Sequence, residues 1–151
     1  MLFVDLDGFK AVNDRYGHAA GDAVLTEVAK RLLHCVRLTD CVCRLGGDEF
    51  TVILEGVGPA PELVRICQRI LDSVSKPHVF EQEPVIVSPS IGAAMYDIGE
   101  TPEALCHRAD ESMYAAKHAG KANFVLSPSA FRPRTIATAP PVQMLKQGPI
   151  G

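Results

Sequence analysis

Four carboxylates and two glycines carry the first chemical signal in the chain. Asp5 and Asp7 flank Leu6 at the end of an apolar run, and Asp48-Glu49 follow Gly46-Gly47 between two strand-like segments. Carboxylates from two strand ends can converge on one point. A hard cation such as Mg²⁺ takes oxygen ligands and is commonly held by one or two carboxylates together with substrate phosphates, so the set fits a magnesium–nucleotide site. Gly46 and Gly47 leave room for a flat ligand against the backbone and permit positive φ in the turn. Read by itself, Gly-Gly-Asp-Glu is more simply a polar hairpin turn, and its meaning depends on its surroundings.

The elements that must position these residues follow from periodicity. Residues 2–6 read as a short buried strand, broken by Asp7-Gly8-Phe9-Lys10, where a loop is expected. From Ala20 the apolar positions Val24, Leu25, Val28, Ala29, Leu32, Leu33 and Val36 recur at three-to-four spacing, which predicts a helix of about five turns. Cys41–Leu45 and Phe50–Leu54 read as strands joined by the Gly46–Glu49 hairpin. A second amphipathic helix is expected over Ala60–Ser75, ended by Lys76-Pro77, and a strand over Val85–Met95. Pro89 in that strand suggests an irregularity or an edge position. A third helix opens at Thr101-Pro102-Glu103, with Thr101 as N-cap, and runs to His118; Phe124–Leu126 closes the pattern as a strand. Residues 127–151 hold five of the eleven prolines and no periodicity, so they read as a disordered tail or linker after a single domain at 1–126.

Composition excludes several classes. At 151 residues the chain fits one domain, and its 47% apolar and 22% charged residues are ordinary globular usage. No apolar run approaches the roughly 20 residues of a membrane span, and the N-terminus lacks the basic and apolar regions of a signal peptide, so a cytoplasmic protein with no membrane segment is expected. The formal charge of −3 hides an asymmetry: Arg132, Arg134 and Lys146 stand in the tail with no acid, so the body is more acidic still, which argues against nucleic-acid binding. The five cysteines, Cys35, Cys41, Cys43, Cys67 and Cys106, lie in apolar patterns and read as reduced, buried thiols. Cys41-Val42-Cys43 alternates like a strand and lacks a second pair, so core packing is expected of it and no metal.

The order of short motifs resembles one family. Asp5-Leu6-Asp7-Gly8-Phe9-Lys10, Asn13-Asp14, Gly17-His18 and Gly21-Asp22 are similar, in order and spacing, to the run that precedes the signature of diguanylate cyclases, and Gly46-Gly47-Asp48-Glu49-Phe50 resembles the GGDEF signature itself. Ser90-Ile91-Gly92, Ala109-Asp110, Tyr114, Ala116-Lys117 and Gly120-Lys121 resemble the later landmarks, so the likeness covers roughly 1–126. It implies an α/β fold with a central, mainly antiparallel sheet flanked by helices, in a palm-like nucleotide cyclase and polymerase architecture.

The resemblance also implies roles. Asp5 and Asp48, with the Leu6 carbonyl, would hold Mg²⁺, for which Mn²⁺ could substitute, and Asp48 or Glu49 would help deprotonate a ribose 3′-hydroxyl. GTP would be bound by Gly8 and Phe9 backbone N–H groups, by Gly46 and Gly47, by Asn13 and Asp22 at guanine, and by Lys117 and Lys121 at the phosphates. Spacing places the two lysines on one helix face, where a solvated basic face is the plainer use. Lys121 stands where arginine is common, and Ala122 intervenes before Asn123. Arg37-Leu38-Thr39-Asp40 resembles the product-inhibition motif, with Arg69 as its second arginine; an Arg–Asp surface pair is the plainer use of those residues. The implied activity joins two GTP into cyclic di-GMP with release of pyrophosphate in a homodimer. A non-catalytic module for cyclic di-GMP or GTP, or an inactive fragment, are the alternatives. The family's Asp-x-Leu-Thr-x-Leu-x-Asn-Arg stretch and its helix are absent before the first strand, and a sensory or phosphodiesterase-type domain is expected to be missing from the chain.

Overall fold

Leu2, Val4 and Leu6 alternate with Phe3, Asp5 and Asp7 and are buried, as fits the first strand, β1 (Leu2–Asp7), at the centre of the sheet. The computed structural model describes residues 1–128. In chain order the further elements are α1 (Phe9–Tyr16), α2 (His18–His34), β2 (Cys41–Gly46), β3 (Glu49–Ile53), α3 (Ala60–Val74), β4 (His78–Phe80), β5 (Glu83–Val85), β6 (Ser88–Ala93), α4 (Pro102–His118) and β7 (Phe124–Leu126). The five-stranded sheet runs β2-β3-β1-β6-β7; only the β6–β7 pairing is parallel. This is the mainly antiparallel α/β sheet that the family resemblance implies.

The pleat sorts the residues into two layers. Leu2, Val4, Leu6, Phe50, Val52, Ile91 and Ala93 join the apolar faces of α1, α2 and α3 in one core. Asp5, Asp7, Ser90 and Gly92 project to the opposite face, which α4 covers. Gly92 is where α4 lies closest: a Cβ there would collide with the Ala109 carbonyl and the Met113 backbone, so glycine alone lets the helix settle. Thr101 caps α4 by accepting from the Ala104 N–H at 3.3 Å, as its position predicts.

Several elements differ from the expectation. The stretch after Asp7 is not a loop but helix α1, entered through Gly8 at φ 84; the glycine is the N-cap and not a breaker. The expected strand over Val85–Met95 is split, because β5 turns away to pair with β4 across the left-handed residues Glu81 and Gln82. Pro89 sits in β6 opposite Leu6, inside the sheet. Ile91 donates its N–H to Asn123 at 3.0 Å, so by alternation the Pro89 nitrogen faces the β7 side, where β7 does not reach; it costs no ladder bond.

The cysteines are corrected as well. Cys35 and Cys67 are buried and Cys106 is half-buried, but Cys41 and Cys43 are exposed. β2 is an edge strand and α4 packs mainly on β6, β7 and β1, so the outward face of β2 stays open while Val42 turns toward α2. Ser127 is buried, donating its N–H to the Ala93 carbonyl at 2.7 Å, one residue past the expected domain boundary. The rest of the expected tail, from residue 129, lies outside the described residues.

Candidate active site

Burial of Phe50 fixes where the acidic turn points. Its side chain is 2% exposed, and burying an aromatic side chain contributes about 1.5–3 kcal/mol, so β3 cannot rotate. Glu49, one residue earlier, therefore faces the α4 side, in register with Asp5 across the β1–β3 ladder. Like charges directly opposite destabilise a sheet, and such an arrangement is kept where it serves chemistry. The turn is tied to β1 by the Leu6 N–H, which donates to the Asp48 carbonyl at 3.3 Å. It is braced from below by Arg44, whose guanidinium donates twice to the Gly47 carbonyl, at 3.0 and 2.8 Å. Gly47 adopts φ 53, the left-handed conformation that glycine permits without strain.

Asp5 is the buried member of the set. Its carboxylate is 9% exposed and pairs with the Lys117 ammonium at 2.7 Å. Burial pushes the Asp5 carboxyl above its ordinary value; the lysine opposes this, and the charges of Asp48 and Asp7 reinforce it. Burial acts to lower the Lys117 ammonium, but the hydrogen bond and charge of Asp5, with Asp48 and Asp7, outweigh it and hold the pKa above the usual lysine range. A cation already stands beside Asp5, therefore, where the acids need one. Among the described residues no three acidic, histidine or cysteine side chains surround one point as a ready-made cage, which leaves room for ligands supplied by a phosphate or water.

Asp7, singled out from sequence with Asp5, is a brace. Its Oδ2 accepts from the Ser90 hydroxyl at 2.8 Å, the Ser88 hydroxyl at 3.4 Å and the Ala122 N–H at 3.2 Å. Those bonds hold the turn after α4, where Lys121 and Ala122 both have positive φ. This corrects the lysine pair: α4 ends at His118, the Lys121 N–H closes the helix on the Ala116 carbonyl at 3.3 Å, and Lys121 projects from the turn instead of sharing a helix face with Lys117. Both still border the acidic end of the sheet.

Gly8 and Phe9 open α1, whose first-turn N–H groups have no partner within the helix and so form the positive end of its dipole beside Asp5 and Asp7. Asn13, on α1, packs its amide over Gly21; a Cβ at Gly21 would strike it, so the two helices meet closely there. Asp22, the next residue, lines a groove of about 540 Å³ with Leu25, Val42, Arg44 and Phe50. The Asp22 carboxylate thus stands over an apolar floor, one residue on from the Gly21 backbone that the Asn13 amide covers.

Arg37, Asp40 and Arg69 line a second cleft of about 380 Å³ together with Arg65, a residue the sequence reading missed although it stands one helical turn before Arg69. Their functional groups have internal partners. Arg37 pairs with Glu62 at 3.0 Å, Asp40 accepts from the Arg37 and Glu55 N–H groups at 2.8 and 3.0 Å, and Arg69 donates twice to the Cys35 carbonyl. Arg44 and Glu62 were likewise not foreseen, since neither is marked by spacing.

A palm-like sheet presenting acids from adjacent strands beside a helix N-terminus and a lysine defines a nucleotide cyclase fold. Residues 1–123 match the family described as diguanylate cyclase, GGDEF domain, and the chain belongs to it. It is 44% identical over 122 residues to the bifunctional diguanylate cyclase/cyclic di-GMP phosphodiesterase MucR of Pseudomonas aeruginosa, covering 80% of this chain and 18% of that protein. The diguanylate cyclase TpbB of the same species is 44% identical over 119 residues, covering 78% and 27%. The GGDEF domain of that protein superposes with a TM-score of 0.80 at 42% identity over 83% of this chain and 74% of the other. The chain thus spans about a fifth to a quarter of the length of these two curated relatives. No helix among the described residues is long and apolar enough to cross a membrane.

Proposed function

We propose that this domain is a diguanylate cyclase that condenses two GTP molecules into cyclic di-GMP and releases pyrophosphate. The observation that carries the reading is the buried Asp5 carboxylate, opposite Glu49, near Asp48 and neutralised by Lys117 at 2.7 Å. Asp5, Asp48 and the Leu6 carbonyl fit Mg²⁺, or Mn²⁺ in its place, which when bound would neutralise phosphate charge and lower the pKa of a nearby hydroxyl. Lys117 leaves Asp5 for the triphosphate as GTP enters, and Lys121 approaches it from the turn. The α1 N-terminus at Gly8 and Phe9 receives the outer phosphates, and the glycines of the turn let the nucleotide lie against the backbone. Asn13 and Asp22 orient guanine through its carbonyl and N–H edge, and Asp48 or Glu49 takes the proton from the 3′-hydroxyl.

Each 3′-hydroxyl must attack the other nucleotide's α-phosphate, so two protomers face one another with one GTP each. The cleft of Arg37, Asp40, Arg65 and Arg69 would bind product and slow the reaction, with arginine planes for guanine and forks for phosphate. The domain acts in the cytoplasm, attached to sensory or phosphodiesterase-type domains. Incubation with GTP and Mg²⁺ followed by mass spectrometry should reveal cyclic di-GMP and pyrophosphate, lost in Asp48→Ala. A folded chain that binds cyclic di-GMP and forms none would instead be a receptor.

A further inference from the structure

Two thiols stand together on the open face of the edge strand. Cys41 and Cys43 are both exposed, and their Sγ atoms are 3.4 Å apart. They share a face because they are two residues apart in a strand, and they stay uncovered because α4 packs mainly on β6, β7 and β1, away from this edge. Their cross-strand partners are Ile53 and Thr51, which compete for neither sulfur. The hydrogen bond to Cys43 pushes the Cys41 thiol above its ordinary value, as for two sulfurs that share a proton.

Geometry separates the outcomes open to such a pair. A disulfide needs sulfurs about 2.05 Å apart and Cα atoms within about 6.8 Å, whereas residues two apart in a strand lie about 6.6–6.8 Å apart, at the limit. One tetrahedral ion bonded to both sulfurs at about 2.3 Å holds them about 3.8 Å apart, within a small rotamer adjustment of 3.4 Å. Thiolates are soft ligands, and no third protein ligand stands by among the described residues, which favours centres satisfied by two sulfurs. We propose that Cys41 and Cys43 form a bidentate dithiol site for soft, thiophilic metal ions and trivalent arsenicals. With an aryl arsenoxide the step is addition of two S–H groups across As=O: two As–S bonds form, both thiol protons leave with the oxygen as one water, and arsenic stays trivalent.

The test is titration of the reduced full chain with phenylarsine oxide, read by intact mass. One adduct per chain, retained against excess monothiol, is expected; because both thiol protons leave within the water, its affinity should hold from neutral to mildly acid pH, whereas cadmium, which displaces two protons, should bind more weakly there. Cys41→Ser and Cys43→Ser, each checked for folding by circular dichroism, should bind at least about 100-fold more weakly, since chelation multiplies single-thiol affinity by 10²–10⁴. Cys106→Ser should behave as the parent. A parent that takes up no adduct, serine variants that match it, or loss of uptake in Cys106→Ser overturns the proposal. Cadmium uptake, followed by thiolate charge-transfer absorption, must show the same dependence on Cys41 and Cys43.

Discussion

Lys117→Met should destabilise the domain in a way that depends on pH. The substitution keeps the length and apolar stem of the side chain and removes the ammonium that lies 2.7 Å from Asp5. Losing one partner of a fully buried pair costs about 3–5 kcal/mol, and a surface pair contributes about 0–1. Here Asp5 is 9% exposed but Lys117 is 33% exposed, so solvent screening reduces the cost to about 1–2 kcal/mol. That corresponds to about 3–10 °C in Tm for a domain of this size. The sign with pH follows from linkage. Burial already holds the folded Asp5 pKa above its unfolded value, so ionising Asp5 opposes folding; Lys117 offsets part of that opposition. Without the lysine the folded pKa rises further, and the variant recovers as pH falls and Asp5 takes up its proton. Urea melts at several pH values should therefore give a difference from the parent that is largest near neutrality and shrinks toward the ordinary aspartate pKa of about 3.9. A difference absent at neutral pH, or one that grows on acidification, would refute the reasoning. Lys117→Arg, which keeps the charge, should recover most of the loss.

Other substitutions probe separate parts of the structure. Gly92→Ala should cost about 3 kcal/mol or more by thermal denaturation, because its Cβ meets the backbone of α4 and not a movable side chain. Arg44→Leu should change stability by less than about 1.5 kcal/mol yet lower turnover about tenfold, since it frees the Gly47 carbonyl and loosens the acidic turn. Glu62→Gln should tighten cyclic di-GMP binding about three- to tenfold in calorimetry by releasing Arg37, while Arg37→Ala weakens that binding and raises product yield.

The sequence carried the long periodic elements and the residues of the site further than it carried their connections. Helices α2, α3 and α4 were legible because each buries a regular apolar face, and Thr101 marks its cap. α1 was hidden: it buries only Phe9 and Val12, and Gly8 looks like a breaker until its left-handed conformation is seen. The β4–β5 hairpin turns on Glu81 and Gln82, neither of which is a residue that announces left-handed backbone. Asp5 and Glu49 could be placed at strand ends, but their register and the Lys117 contact are tertiary facts. Cys41 and Cys43 read as core because alternation gives a face and not its cover; only the sheet order shows that β2 is an edge.

The central claim rests on Asp5, and Asp5→Asn tests it most directly. The change keeps shape and removes charge; losing the Lys117 pair is offset in part by relief from Asp48, Asp7 and Glu49, so the fold should persist. The measurement is the initial rate of cyclic di-GMP formation from GTP and Mg²⁺ by the parent and by a folded Asp5→Asn chain. The account predicts product from the parent and a loss of about a hundred- to a thousandfold in the variant, the scale of removing a principal electrostatic contributor. A folded variant within tenfold of an active parent would contradict it.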